Sequence, residues 1–131
     1  MRLVRVFYVS AVVGQLSDVD VQAILGASQI RNRRLDVTGM IAQSDGHFAQ
    51  VLEGRREAVA EVMARVRRDG RHEDIRILLE ESISQRQFER WAMGLIRRDD
   101  LAAELKAWHR GGPVDAAAAY AVIKRLYPAS L

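Results

Sequence analysis

The order in which hydrophobic periodicity changes along the chain constrains its fold more than any other feature. Residues 3–10, LVRVFYVS, are β-branched or aromatic at most positions and read as a strand. Ser17, followed three residues later by Asp20, forms a loose capping box that opens a helix. That helix runs to about Asn32 and carries Val21, Ile24, Leu25 and Ser28 on one face. Val37–Gln43 and His47–Leu52 are two strands joined at Ser44-Asp45-Gly46, a hairpin signal, with Gly54 ending the second. A second helix spans about Arg56 to Arg68, with Val59, Val62, Met63 and Val66 as its buried stripe. Ile75–Ser82 reads as a fourth strand and Trp91–Ile96 as a short fifth.

The order β-α-β-β-α-β predicts an α+β architecture, the ferredoxin-like plait, with two helices on one face of an antiparallel sheet. From Asp99 to Leu131 the pattern gives two more helices, separated by Gly111-Gly112-Pro113 and N-capped by Asp99 and Asp115. Leu101, Leu105 and Trp108 mark the apolar face of one; Tyr120, Ile123, Leu126 and Tyr127 mark that of the other. A plait's own helices leave one sheet face bare, so this pair is expected to cover it. At 131 residues the chain is one globular unit.

Composition removes several function classes. Cysteine is absent, which excludes disulfides and thiolate chemistry. His47, His72 and His109 lie far apart in the sequence, so no bound transition metal is expected. No run of about 18 apolar residues is present, so no membrane span is expected. The opening MRLVRVFYVS is too short and too interrupted by arginine for a signal peptide, which makes the cytoplasm the expected location. Net charge is +3, and the basic stretch Arg31-Asn32-Arg33-Arg34 suits a helix C-terminus better than a nucleic-acid surface.

Polar residues stand where the core should be dry. Strand alternation puts Phe48, Gln50 and Leu52 on one face, and Val4, Val6 and Tyr8 in a matching row. A buried carboxamide without partners costs about 1–3 kcal/mol, so something polar must meet Gln50. Asn32 continues the stripe of the first helix and Asp69 that of the second, so the two are expected to meet at one end of the slot between the helices. Either these groups bond one another in a wet core, or they converge on a flat heteroaromatic ligand. Periodicity leaves both open.

The residues resemble a known family. Tyr8-Val9-Ser10, Ser28 with Asn32, Val37-Thr38-Gly39 and Phe48-Ala49-Gln50-Val51-Leu52-Glu53-Gly54 are similar to the BLUF (blue light using flavin) domain. Asp69-Gly70-Arg71-His72 and Arg86-Gln87-Phe88-Glu89-Arg90-Trp91-Ala92-Met93-Gly94 extend the match, which runs from Leu3 to Gly94. The resemblance implies a photoreceptor and not an enzyme, with residues 1–97 as the flavin-binding domain and 98–131 as a helical extension packed on the sheet. It implies FAD as cofactor, with FMN or riboflavin as possible substitutes because most affinity comes from the shared ring. Tyr8 and Gln50 would be the photoactive pair. Ile24, Ser28, Arg31, Asn32, Phe48, Val66, Asp69, Arg71 and His72 would complete the cofactor site, and Trp91 and Met93 would relay the signal.

By the same resemblance, excited flavin takes an electron from Tyr8, whose proton leaves through Gln50. The amide then rotates or changes tautomer, and the flavin stays oxidised with its absorption shifted to the red. Arg31, Gln29, Ala42 and Gln43 depart from the family's usual residues, and bear on the sugar and phosphate contacts and on recovery. No output domain follows in the sequence, so a separate protein partner or a homo-oligomer is expected to carry the signal.

Three rival readings remain at this level. A flavin-free plait could serve as an oligomerisation module. An acylphosphatase-like hydrolase would need an arginine in the loop after the first strand, where Ala11-Val12-Val13-Gly14-Gln15 has no basic residue. An RNA-binding plait would need aromatic residues on a bare sheet face, and aromatics are 6% of the chain.

Overall fold

A computed structural model describes residues 2–15, 17–44, 46–89 and 94–126. Its elements are β1 (Leu3–Val12), α1 (Asp18–Leu35), β2 (Thr38–Ser44), β3 (His47–Arg55), α2 (Arg56–Arg68), β4 (His72–Ile83), β5 (Gly94–Arg97), a 3-10 turn (Asp99–Leu101), α3 (Ala102–His109) and α4 (Ala116–Leu126). The sheet order is β4-β1-β3-β2-β5, antiparallel except for β5, which lies parallel to β2. The expected plait is present, with the fifth strand added at its edge.

Local chemistry explains the boundaries. Ser17 and Asp20 form the reciprocal capping box that opens α1. The helix passes Asn32 and stops at Asp36, which takes a left-handed φ of 56°, a conformation a short polar side chain tolerates. In the β2–β3 hairpin Ser44 pairs with His47, and Gly46 has φ +76°. Gly54 does not end β3, which continues to Arg55. A Cβ on Gly54 would lie 3.2 Å from both the Asp36 carbonyl and Val37 Cγ2, so the residue admits the chain leaving α1. β4 begins at His72, three residues before the expected start, because pairing to Ala11 and Val12 overrides the weak strand propensity of His72-Glu73-Asp74.

Two cores flank the sheet. Val4, Val6, Tyr8 and Leu52 pack beneath α2 against Val59, Val62, Met63 and Val66. On the other face Phe7, Val9, Met40, Ala42, Ala49 and Val51 meet Leu101, Leu105, Trp108, Val122, Ile123 and Leu126 of the C-terminal segment. Trp108 sets its edge on Phe7 at 6.2 Å, a plain core contact. That cover also removes the bare aromatic face an RNA-binding plait would need.

Two expectations for this segment need correction. Asp99 does not cap α3: it starts the 3-10 turn and pairs with Arg97, while Leu101 precedes the helix with no side-chain cap bond. Tyr120 does not join the buried face; it is 42% exposed and its phenol donates to Glu81. Asp115 does cap α4, accepting from the Ala117 N–H at 3.0 Å. Tyr127, Trp91 and Met93 lie outside the described residues. Among the described residues no helix is long and apolar enough to cross a membrane.

One buried ion pair ties the sheet to the segment after β4. The Glu53 carboxylate accepts from Arg5 Nε at 2.8 Å and from the backbone N–H groups of Gln87 and Phe88 at 2.9 and 2.8 Å. Arg5 also reaches Glu81 on β4 at 2.8 Å. Removing one partner of such a pair strands the other charge in a dry site. Glu53→Ala is therefore expected to cost about 3–5 kcal/mol in urea unfolding. Gly39→Ala places a Cβ 2.0 Å from the Val51 carbonyl oxygen and forces β2 away from β3. It is expected to cost about 3 kcal/mol or more, whereas Gly70→Ala, with nothing within 4 Å, serves as a control that leaves the midpoint near the parent's.

Candidate functional site

The slot between α1, α2 and the sheet is a cavity, and its walls follow from the two periodicities. From α1 come Val21, Ile24, Leu25, Ala27, Ser28 and Arg31; from the sheet, Tyr8, Ile41, Phe48 and Gln50. The C-terminal end of α2 and the turn after it supply Arg65, Val66, Asp69, Arg71 and His72. Ten of the eleven cofactor-site residues expected from sequence therefore line one cavity.

Asn32 is the exception. It is fully buried and lies off the cavity's lining, and its carbonyl accepts from the Val37 N–H at 2.8 Å. Asp69 has left the α2 helix, with ψ 114°, and interacts by charge with Arg31 of α1.

Tyr8 and Gln50 face each other directly. They are paired residues of β1 and β3, so their side chains emerge on the same face as neighbours. The Tyr8 hydroxyl donates to Gln50 Oε1, and the two residues are 1% and 5% exposed. Burial holds the phenol well above tyrosine's ordinary range, and the Asp69 carboxylate adds to this while Arg31 opposes it. Tyr8 is thus a neutral donor at any physiological pH.

His72 closes the α2 end of the slot. Its Nε2 lies 2.9 Å from the Val66 carbonyl oxygen, which can only accept, so Nε2 carries the proton. In neutral imidazole Nδ1 is then an acceptor, and it takes the hydroxyl proton of buried Ser10 at 2.7 Å. The ring stands 6.3 Å from those of Tyr8 and Phe48. The β1–β4 register shifts between Phe7 and Tyr8 and again across Ser10, between Val9 and Ala11, and Asp74 is left-handed (φ 54°), so β4 is locally irregular here. Asp69 fixes the turn by accepting the Arg71 N–H at 3.0 Å and pairing with Arg71 Nε at 3.3 Å.

Ser10, present in the Tyr8-Val9-Ser10 motif, and Arg65 were given no site role from sequence. Ser10 continues the Tyr8 row by simple alternation, and Arg65 precedes Asp69 by four residues on the cavity side of α2, so both signals were present. The sequence separation of the histidines also hid a contact. The rings of His47 and His109 meet edge to face at 5.0 Å, and among the described residues no group of three His, Asp or Glu is placed to hold a metal ion.

The donor set fits a flavin ring. The slot has apolar walls at Val21, Ile24, Leu25, Ile41 and Val66, and the inward residues Ile24, Leu25 and Ser28 of α1 are only half-buried, so α1 does not close on the sheet. Arg31 Nε is buried and has no hydrogen-bond partner among the described residues. Guanidinium, hydroxyl and carboxamide groups offer donors to carbonyl oxygens and ring nitrogens, and Asp69 offers an acceptor.

Known proteins agree with this geometry. Residues 3–94 match the family described as sensors of blue light using FAD. The chain is 34% identical over 73 residues to photoactivated adenylate cyclase subunit beta of Euglena gracilis, covering 56% of this chain and 8% of that protein. It thus spans a small fraction of that relative's length. BlrB, a BLUF protein solved in its dark state, superimposes with TM-score 0.79 and 33% identity over 99% of this chain and 98% of its own. BlrP1 of Klebsiella pneumoniae, solved with FMN and cyclic diGMP, gives TM-score 0.68 and 28% identity over 72% of this chain and 26% of its own. With the match running from β1 to the start of β5, the chain belongs to the BLUF family of blue-light sensors that use FAD.

Proposed function

We propose that Tyr8 and Gln50 are the light-operated switch of this sensor, held between α1 and α2 by the cavity described above. The observation that carries the reading is the buried Tyr8–Gln50 hydrogen bond, opening on a slot that combines aliphatic walls with charged groups. Ile24, Ser28, Arg31, Asn32, Phe48, Val66, Asp69, Arg71 and His72 would hold the flavin, Asn32 from its buried place near the end of α1. FAD is the family's cofactor; FMN or riboflavin would present the same ring.

When bound, oxidised flavin supplies a visible chromophore that becomes a one-electron acceptor under blue light. Tyr8 is the donor. Losing an electron makes its phenol strongly acidic, and the proton moves from Tyr8 Oη along the existing hydrogen bond to Gln50 Oε1. As charge recombines, Tyr8 recovers its electron and a proton, and the Gln50 amide is left turned or in its other tautomer. A carboxamide suits this work because its donor and acceptor ends have nearly equal shape, so reversal exchanges hydrogen bonds without a change of volume.

Residues 1–97 would sense the light, and residues 98–131 would receive the change through the sheet. Trp91 and Met93 would carry it from the cavity. Glu53, Arg5, Glu81 and Tyr120 support such a route, since they link the segment after β4 to α4 by successive hydrogen bonds. Output then passes to a separate protein or a second copy, and the chain itself acts as a receptor without catalysis of its own.

Gln50→Leu is expected to bind flavin and to lose the red shift on illumination. A normal shift in that variant contradicts the switch. Tyr8→Phe is expected to abolish the productive photocycle, read by flash spectroscopy. The raised phenol also makes a prediction about pH. Below the ordinary tyrosine pKa of about 10 both folded and unfolded chains hold the Tyr8 proton, so stability does not depend on it. Above it the unfolded chain loses the proton first, and stability falls with rising pH. Ultraviolet titration should show tyrosines that resist ionisation near pH 10 in the parent, Tyr8 by burial and Tyr120 by its bond to Glu81, and one fewer of them in Tyr8→Phe.

A further inference from the structure

Helix α1 is apolar on two sides. The inner side faces the cavity; the outer side carries Val19 and Ile30, which are 77% and 68% exposed. No other large hydrophobic residue among those described is as open to solvent. The spacing from Val19 to Ile30 is about three turns at 3.6 residues per turn, so both lie on one line of the helix. Ala23, also exposed, and Gly26 fall on that line between them. Exposed apolar residues aligned along one line of a helix, between polar neighbours, mark an interaction surface.

Charge along the same helix changes sign. Asp20 is exposed in the first turn, and Arg33 and Arg34 are exposed in the last. If two copies lay their α1 helices antiparallel about a two-fold axis, Val19 of each would meet Ile30 of the other and Ala23 would meet Gly26. Asp20 would then approach Arg33 and Arg34 of the second copy, and the two helix dipoles would oppose favourably. The face is therefore complementary to itself, as an isologous contact must be. A Cβ built on Gly26 meets nothing within 4 Å, so nothing within one copy requires glycine there. The outer sheet edge is a poorer site. β4 carries Glu73, Asp74, Arg76, Glu80 and Glu81, and charges on an edge strand discourage strand addition.

We propose that the outer face of α1 is a self-association surface on which a second copy of this chain docks its own α1 antiparallel. The inner face of the same helix bears Ile24, Ser28 and Arg31, so the dimer contact lies one helix diameter, about 10 Å, from the cavity.

Sedimentation of the full chain tests this directly. The parent is expected to pass from monomer to dimer over a roughly hundredfold rise in concentration, and to dissociate more readily at high salt. Gly26→Leu starts from a position where a Cβ meets nothing within 4 Å in one copy, and its bulk blocks close approach of a second. Ile30→Glu puts charge at the end of the apolar line. Both are expected to stay monomeric while keeping the parent's circular dichroism and melting temperature. A parent that remains monomeric throughout, as a face made for a foreign partner would leave it, overturns the proposal. So does a dimer that persists in both variants.

Discussion

A phenol and a carboxamide bonded to each other and buried beside the apolar core under α2 are the constraint on which the rest of this structure turns. Leaving either unsatisfied there would cost about 1–3 kcal/mol, so β1 and β3 must hold Tyr8 and Gln50 in register. The antiparallel pairing does so, and the tight β2–β3 contact at Gly39 fixes the next strand against it. The apolar rows to either side, Val4-Val6 and Phe48-Leu52, supply the dry surroundings that keep Tyr8 protonated. Fold and site are therefore one arrangement of alternating strand residues.

Around that pair the charged groups are distributed with a clear division of labour. Glu53, Arg5 and Glu81 lie on the opposite side of the sheet and bind the chain together. Arg31, Arg65, Asp69 and Arg71 stand at the cavity. Burial and the neighbouring Arg65 push the Arg31 guanidinium down from its ordinary range, while Tyr8 and Asp69 offset part of this. A cation kept half-buried with an unused Nε is suited to an acceptor-rich ligand, and is poorly explained by the chain alone.

Much of this was legible in the sequence because it rests on short-range periodicity. Alternation alone put Tyr8 with Val4 and Val6, and Gln50 with Phe48 and Leu52. The helical stripe of α2 and the capping box of α1 were equally direct. What periodicity missed depends on contacts distant in sequence. His72 starts β4 because Val12 pairs with it, and it bonds Ser10 where the β1–β4 register shifts. Glu53 reads as one more surface acid until Arg5 and the Gln87–Phe88 backbone are seen to surround it. Asn32 followed the stripe correctly into burial, and its neighbour Arg31 lines the cavity. Asp99 looked like a cap because acids commonly are, and an ion pair with Arg97 claimed it instead.

The central claim is that light rearranges the hydrogen bonds of Tyr8 and Gln50 and leaves the flavin oxidised at the end of the cycle. The light-minus-dark absorption spectrum of the purified, flavin-loaded protein tests it most directly. The account predicts a small displacement of the visible band to longer wavelength, with its intensity kept, that reverts in the dark. Bleaching of that band, or a spectrum indifferent to blue light, would contradict it.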